Sequence, residues 1–215
     1  PELRSAIAAF YATRYGITVG PSRIVVTTGA SGALLLAMAC LTEPGSEWLL
    51  TDPGYPCNRN FVRSFEGVPV SIPVHAENKF QPRLADLERH WNRNTAGALL
   101  ASPANPTGTL LDDDVLASIA DFARQKGGQL IIDEIYHGLT YEREASTALR
   151  FGDDIFVVQS FSKYFNMAFL HSQKAKQQTE CCGFASTIRT QKSNHLSGLN
   201  LKIHILNHSS RFETF

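Results

Sequence analysis

The stretch DDDVLASIADFARQKGGQLIIDEIY, residues 112–136, decides the fold. Three acids open it, where they complement the positive end of a helix dipole. A helical segment runs over 112–126, and Gly127-Gly128 stops it. Leu130-Ile131-Ile132 then forms a strand with no polar position. Asp133-Glu134-Ile135-Tyr136 follows directly, so carboxylates stand at the mouth of an apolar strand. Helix, glycine break, buried strand and polar mouth make up one unit of an α/β protein.

The same unit recurs on both sides. Upstream, apolar spacing predicts a helix over 2–15 ended by Gly16, and Ile24-Val25-Val26-Thr27 is a buried strand by type. Thr28-Gly29-Ala30-Ser31-Gly32 leads into an apolar helix that ends near Leu41. Trp48-Leu49-Leu50 is the next strand, closed by Asp52-Pro53-Gly54. A helix carrying Phe61, Val62 and Phe65 ends at Gly67. A strand over 68–72, a short helix over 84–91 and a strand over 98–101 complete the approach. Downstream, 155–158 is one more strand. Strands of four to five residues that alternate with helices predict a three-layer α/β/α sandwich with a mostly parallel sheet. Such sheets bind ligands beyond the carboxyl ends of their strands.

Composition agrees. The 215 residues are 43% hydrophobic and 19% charged, which excludes a disordered or low-complexity chain. Lys+Arg and Asp+Glu number 20 each, so no basic excess points to nucleic acid or to an anionic membrane surface. The longest apolar run, residues 33–41, is far short of the roughly 18 residues of a membrane span. The four cysteines have no zinc-like spacing and read as free thiols of a reducing, cytoplasmic compartment. Cys40, within the apolar run, is expected in the core.

Four motifs sit at predicted strand ends. Gly29-Ala30-Ser31-Gly32 opens a helix, where free N–H groups and the dipole suit a phosphate, although a tight turn has the same sequence. In Asn105-Pro106-Thr107-Gly108 the proline holds Asn105 extended. Asp133 needs a partner in its apolar setting: a protonated heterocyclic nitrogen serves, and so does a neighbouring Arg. His137 is expected beside this site or at the surface rather than as a metal ligand. In Ser160-Phe161-Ser162-Lys163 an amine desolvated at a strand mouth is a nucleophile for a carbonyl. Each motif alone is ordinary. Together they supply what pyridoxal phosphate requires: a phosphate cradle, a partner for its ring nitrogen and a lysine for its aldehyde.

On Pro1-Glu2-Leu3-Arg4, Thr28-Gly29-Ala30-Ser31, Asp52-Pro53-Gly54-Tyr55-Pro56, Ala104-Asn105-Pro106-Thr107-Gly108, Ile132-Asp133-Glu134-Ile135-Tyr136 and Ser160-Phe161-Ser162-Lys163, residues 1–167 resemble the class I/II aminotransferases of pyridoxal-phosphate fold type I. The resemblance implies a partial large cofactor-binding domain and amino-group transfer between an amino acid and a 2-oxo acid. It also implies a homodimer. Lys163 is then the lysine that binds the cofactor covalently and moves the substrate proton. Asp133 pairs with the ring nitrogen. Asn105 and Tyr136 bond the ring oxygen, and Tyr55 stacks on the ring. The backbone of Ala30 and Ser31, with the Ser160 and Ser162 hydroxyls, binds the phosphate.

The resemblance stops at Met167. The family continues with a segment of the type Thr-Gly-Trp-Arg-x-Gly, whereas position 171 here is His and its neighbours do not match. Composition shifts at the same place. All ten prolines precede residue 168, while residues 168–215 hold six Lys or Arg against two Glu. Residues 168–215 therefore read as an unrelated basic tail, out of frame or irregular, with one strand-like alternation at Leu199, Leu201, Ile203 and Ile205. Three readings stand: a truncated aminotransferase, another fold-type I enzyme such as a C–S lyase or decarboxylase, and a non-catalytic remnant.

Overall fold

A computed structural model describes residues 1–141 and 143–167 and the backbone of 184–188. The chain opens with helix α1 (Glu2–Tyr15), which Gly16 ends in a left-handed conformation at φ 68° while its N–H bonds back to Ala12 O. Strand β1 (Ile24–Thr28) runs into α2 (Gly29–Leu41). Strand β2 (Glu47–Asp52), helix α3 (Cys57–Arg63), strand β3 (Val68–Pro73) and helix α4 (Leu84–His90) follow. Then come β4 (Thr95–Ala101), α5 (Asp113–Gln125), β5 (Gln129–Asp133) and β6 (Ile155–Ser160). A last strand, β7 (Phe184–Ile188), joins the same sheet.

The sheet order is β1-β7-β6-β5-β4-β2-β3. Strands β3, β2, β4, β5 and β6 pair in parallel. Strand β7 is antiparallel to both neighbours, with Thr187 opposite Val25 on one side and Val158 on the other. The sheet is therefore mostly parallel, and every strand but β7 points its carboxyl end to one edge.

Period-two alternation divides the core. Leu49, Ala98, Leu100, Leu130, Ile132, Ile155 and Val157 pack on one face with Ile7 and Tyr11 of α1, Leu87 of α4 and Leu116 and Ile119 of α5. Trp48, Leu50, Leu99, Ile131, Phe156 and Val158 pack on the other with Leu34 and Met38 of α2 and Val62 of α3. Strands covered on both faces carry no polar alternation, which explains the continuous apolar runs in the sequence. The three-layer sandwich is as expected.

Three local expectations differ. Strand β1 is only half-buried beyond Ile24. Cys40 is exposed, because α2 buries Ala33, Leu34, Ala37 and Met38 and turns Cys40 to solvent. Strand β7 falls in the stretch expected to be irregular. The alternation over 199–205 lies outside the described residues, as does the remainder of 168–183 and 189–215. No helix among the described residues is long and apolar enough to cross a membrane.

Candidate active site

The carboxyl ends of β1, β4, β5 and β6 surround a cavity of about 470 Å³. Eight of the nine residues expected at a ligand site line it: Ala30, Ser31, Tyr55, Asn105, Asp133, Tyr136, Ser162 and Lys163. They come from five separate segments of the chain, which the sheet edge brings together.

Ala30 and Ser31 occupy the first turn of α2. Gly29, at φ 75°, allows the reversal from β1 into the helix. The Thr28 side chain does not cap this end, so the first N–H groups of the helix have no side-chain partner from it, and the end that carries the positive pole of the dipole lines the cavity. Thr27 Oγ1 donates instead to Gly29 O, at 3.0 Å, and stiffens the turn.

Asn105 and Tyr136 meet on the opposite wall, where Asn105 Nδ2 donates to the Tyr136 hydroxyl at 3.4 Å. The Asn105-Pro106 peptide is cis. Buried Gln81 braces this loop, its amide donating to Ala101 O and Thr109 O at 3.2 and 2.7 Å. Half-buried Tyr55 comes from the turn before α3, and its phenol is raised above its ordinary value, first by a hydrogen bond with Cys57 and then by burial.

Asp133, the last residue of β5, is 6% exposed. Its Oδ1 accepts the Ile135 N–H at 3.2 Å. Burial pushes its carboxyl up to about 6, while that hydrogen bond and the charge of Lys163 pull the other way. A carboxyl in this state gains from a cation placed in the cavity.

Lys163 stands exposed at the mouth, with Nζ 5.5 Å from the centre of the Tyr136 ring. It is not the desolvated amine expected from its place after an apolar strand. Ser160 is the one expected residue that does not line the cavity. It is buried at the end of β6, and its Oγ lies 2.6 Å from Ser162 Oγ and accepts the Ser162 N–H at 3.0 Å. Ser160 therefore braces Ser162, which does face the cavity. Among the described residues no group of three His, Cys, Asp or Glu side chains gathers as metal ligands do.

Gly138 packs against the residue that follows Lys163. Its φ is +93°, and a Cβ there would fall 2.3 Å from the ring of Tyr164, the next residue after Lys163. Gly138→Ala is expected to lower stability by about 2 kcal/mol, from backbone strain and displacement of this ring. Urea unfolding checks it, and an unchanged midpoint contradicts this packing.

Sequence reading missed Glu134 and His137 as buried groups. Glu134 is wholly inside and His137 nearly so, with Tyr15 Oη 3.1 Å from His137 Nδ1. The signal was present for Glu134: if Asp133 faces the cavity, strand alternation sends the next residue into the core.

Known proteins bear on this geometry. A family model described as "Aminotransferase class I and II" matches residues 1–169. A valine–pyruvate aminotransferase of Mycobacterium tuberculosis is 43% identical over 169 residues, covering 78% of this chain and 43% of that protein. A probable aspartate/prephenate aminotransferase of Aquifex aeolicus is 34% identical over 172 residues, 78% of this chain and 44% of the relative. Among solved structures, an aminotransferase from Mycobacterium tuberculosis superposes with a TM-score of 0.78 at 37% identity, over 89% of this chain and 46% of that one. The chain thus spans less than half the length of these relatives.

Proposed function

The chain belongs to the class I and II aminotransferases, and on that premise we propose that its cavity holds pyridoxal phosphate on Lys163 and serves amino-group transfer between an amino acid and a 2-oxo acid. Members of the family are generally dependent on this cofactor. The observation that carries the reading is that one cavity is lined by an uncapped helix N-terminus, a buried carboxyl in need of a cation and a lysine. These suit, in turn, a phosphate, a protonated ring nitrogen and an aldehyde.

When bound, the cofactor supplies an aldehyde for the amine and a ring that draws electrons from the substrate Cα. The residues divide the remaining work. The N–H groups of Ala30 and Ser31 and the Ser162 hydroxyl bind the phosphate, with Ser160 fixing Ser162. Asp133 holds a proton at the ring nitrogen. Asn105 and Tyr136 bond the ring oxygen, and Tyr55 covers the ring face. Lys163 would hold the aldehyde carbon, and its free amine would serve as the base that moves the substrate Cα proton. In this reading the chain works as a homodimer in the cytoplasm, a compartment that suits the free thiols of Cys40 and Cys57.

The name of the Mycobacterium tuberculosis relative makes valine and pyruvate the first substrates to try. Incubated with the cofactor, L-valine and pyruvate, the chain is expected to release alanine and the oxo acid of valine. No product above that of a Lys163→Ala control, with these or other amino acids, would overturn transamination.

A further inference from the structure

Behind the cavity lies a cluster of ionisable groups that this chemistry does not use. Asp133 and Glu134 are adjacent, yet Asp133 lines the cavity while Glu134 is 0% exposed. Glu134 Oε1 accepts the Ala148 N–H at 2.6 Å and the Thr147 hydroxyl at 3.2 Å. Glu134 Oε2 sits 3.4 Å from His137 Nδ1, which in turn lies 3.1 Å from the Tyr15 hydroxyl of α1. The backbone closes the same turn. The Glu134 N–H donates to Val158 O at 2.8 Å, and the His137 N–H donates to Glu134 O at 2.9 Å. One residue therefore joins the mouth of β5 to β6, to the 147–148 segment and, through His137, to α1. Tyr136 is held inside this turn.

Electrostatics fit a neutral pair. Burial pushes Glu134 up to about 8, with Asp133 adding to the shift and the bonds from Ala148 and Thr147 opposing it. Burial pushes His137 down to about 4, with Arg14 adding. Tyr11 and Tyr15 of α1 also face Glu134. Arg14 is itself paired with Glu144 at 3.2 Å. Near pH 7 the pair is thus a protonated acid beside a neutral imidazole, which avoids burying an isolated charge.

We infer that Glu134 is a positioning residue, a clamp that holds the Asp133–Tyr136 turn from the core side and so sets Asp133 and Tyr136 for the cofactor. Its functional half rests on the cofactor reading above. The clamp itself has a signature without cofactor. Glu134 keeps its proton in the folded chain up to about pH 8 but releases it near 4.5 when unfolded. The stability it lends is full below that ordinary value and is lost as pH rises to about 8. His137 acts oppositely, losing its contribution as pH falls from 6.5 toward 4. Asp133 has the sign of Glu134 but titrates about pH 6 and is nearly fully ionised by pH 7. Between pH 6.5 and 8 Glu134 dominates the slope among the three, since what is left of the Asp133 and His137 titrations is small and opposite in sign, and the unfolding constant rises by up to about tenfold per pH unit.

The test is unfolding of the full chain without cofactor at pH 6.5 and 8, beside Glu134→Gln and Glu134→Ala. Glutamine keeps an acceptor for Ala148 and cannot titrate. The parent's unfolding constant is expected to rise about 10- to 30-fold across this interval, and that of Glu134→Gln to stay flat. With pyridoxal phosphate, Glu134→Gln is expected to bind within about threefold of the parent, and Glu134→Ala at least about tenfold more weakly. A Glu134→Gln variant that keeps the parent's slope overturns the clamp, and so does a Glu134→Ala variant with the parent's affinity. If the parent binds no cofactor, that failure belongs to the cofactor reading, and the pH comparison decides the clamp by itself.

Discussion

Asp133→Asn is expected to weaken pyridoxal phosphate binding by about a hundredfold. Asp133 is the buried carboxyl of the cavity, held up to about 6 chiefly by desolvation. A protonated ring nitrogen would supply the missing cation, and hydrogen bonds to charged groups are worth about 1.5–3 kcal/mol. The upper part of that range corresponds to about a hundredfold in affinity. The amide keeps the shape but removes the charge. The same value fixes a pH dependence. Above about pH 6 the carboxylate is ionised and ready for the cation; below it, each pH unit is expected to cost the parent up to about tenfold in affinity through this group. Asp133→Asn lacks that component. Cofactor titrations at pH 5 and 7.5 measure both effects. Equal affinity for parent and variant would mean that Asp133 does not hold the ring nitrogen.

Lys163→Ala is expected to abolish covalent attachment while leaving the fold intact. Lys163 is exposed, and its placed contact is the Tyr136 ring at 5.5 Å, an interaction worth about 0.5–1 kcal/mol at such sites. The unfolding midpoint should therefore shift little. The visible absorption of the lysine-bound cofactor should vanish, and oxo-acid release from valine should fall by at least about 10⁴-fold, because anchor and proton carrier are lost together. Lys163→Arg should fail equally, since a guanidinium keeps the charge but not the nucleophile. A Lys163→Ala variant that retained the parent's visible band would show that another amine binds the aldehyde.

The predictions rest on features of unequal legibility. The central sheet was readable because strands buried on both faces must be apolar throughout: Leu130 and Ile132 serve one layer while Ile131 serves the other. The residues that break those runs were readable for the same reason, since a carboxyl such as Asp133 has no structural excuse at an apolar strand end. Cys40 was misread because the run over 33–41 is apolar all round, and only packing against the sheet selects Ala33, Leu34, Ala37 and Met38 as its inner face. Ser160 and Ser162 were both expected at the phosphate, and only the point where β6 ends places Ser162 in the cavity wall and Ser160 behind it, with their hydroxyls 2.6 Å apart. Strand β7 carried no readable signal. It is short, and its place depends on backbone groups offered by β1 and β6, more than 20 residues away along the chain. Glu134 was legible in principle from alternation and was overlooked because its neighbour already explained the motif.

The most direct test of the account is to incubate the full chain with pyridoxal phosphate, reduce it with borohydride and map the modified lysine by peptide mass spectrometry. One cofactor per chain, on Lys163, is the predicted result, with the label lost in Lys163→Ala and reduced in Asp133→Asn. Label spread over exposed lysines such as Lys79 and Lys126, or no label, would contradict the claim that this cavity is a cofactor site.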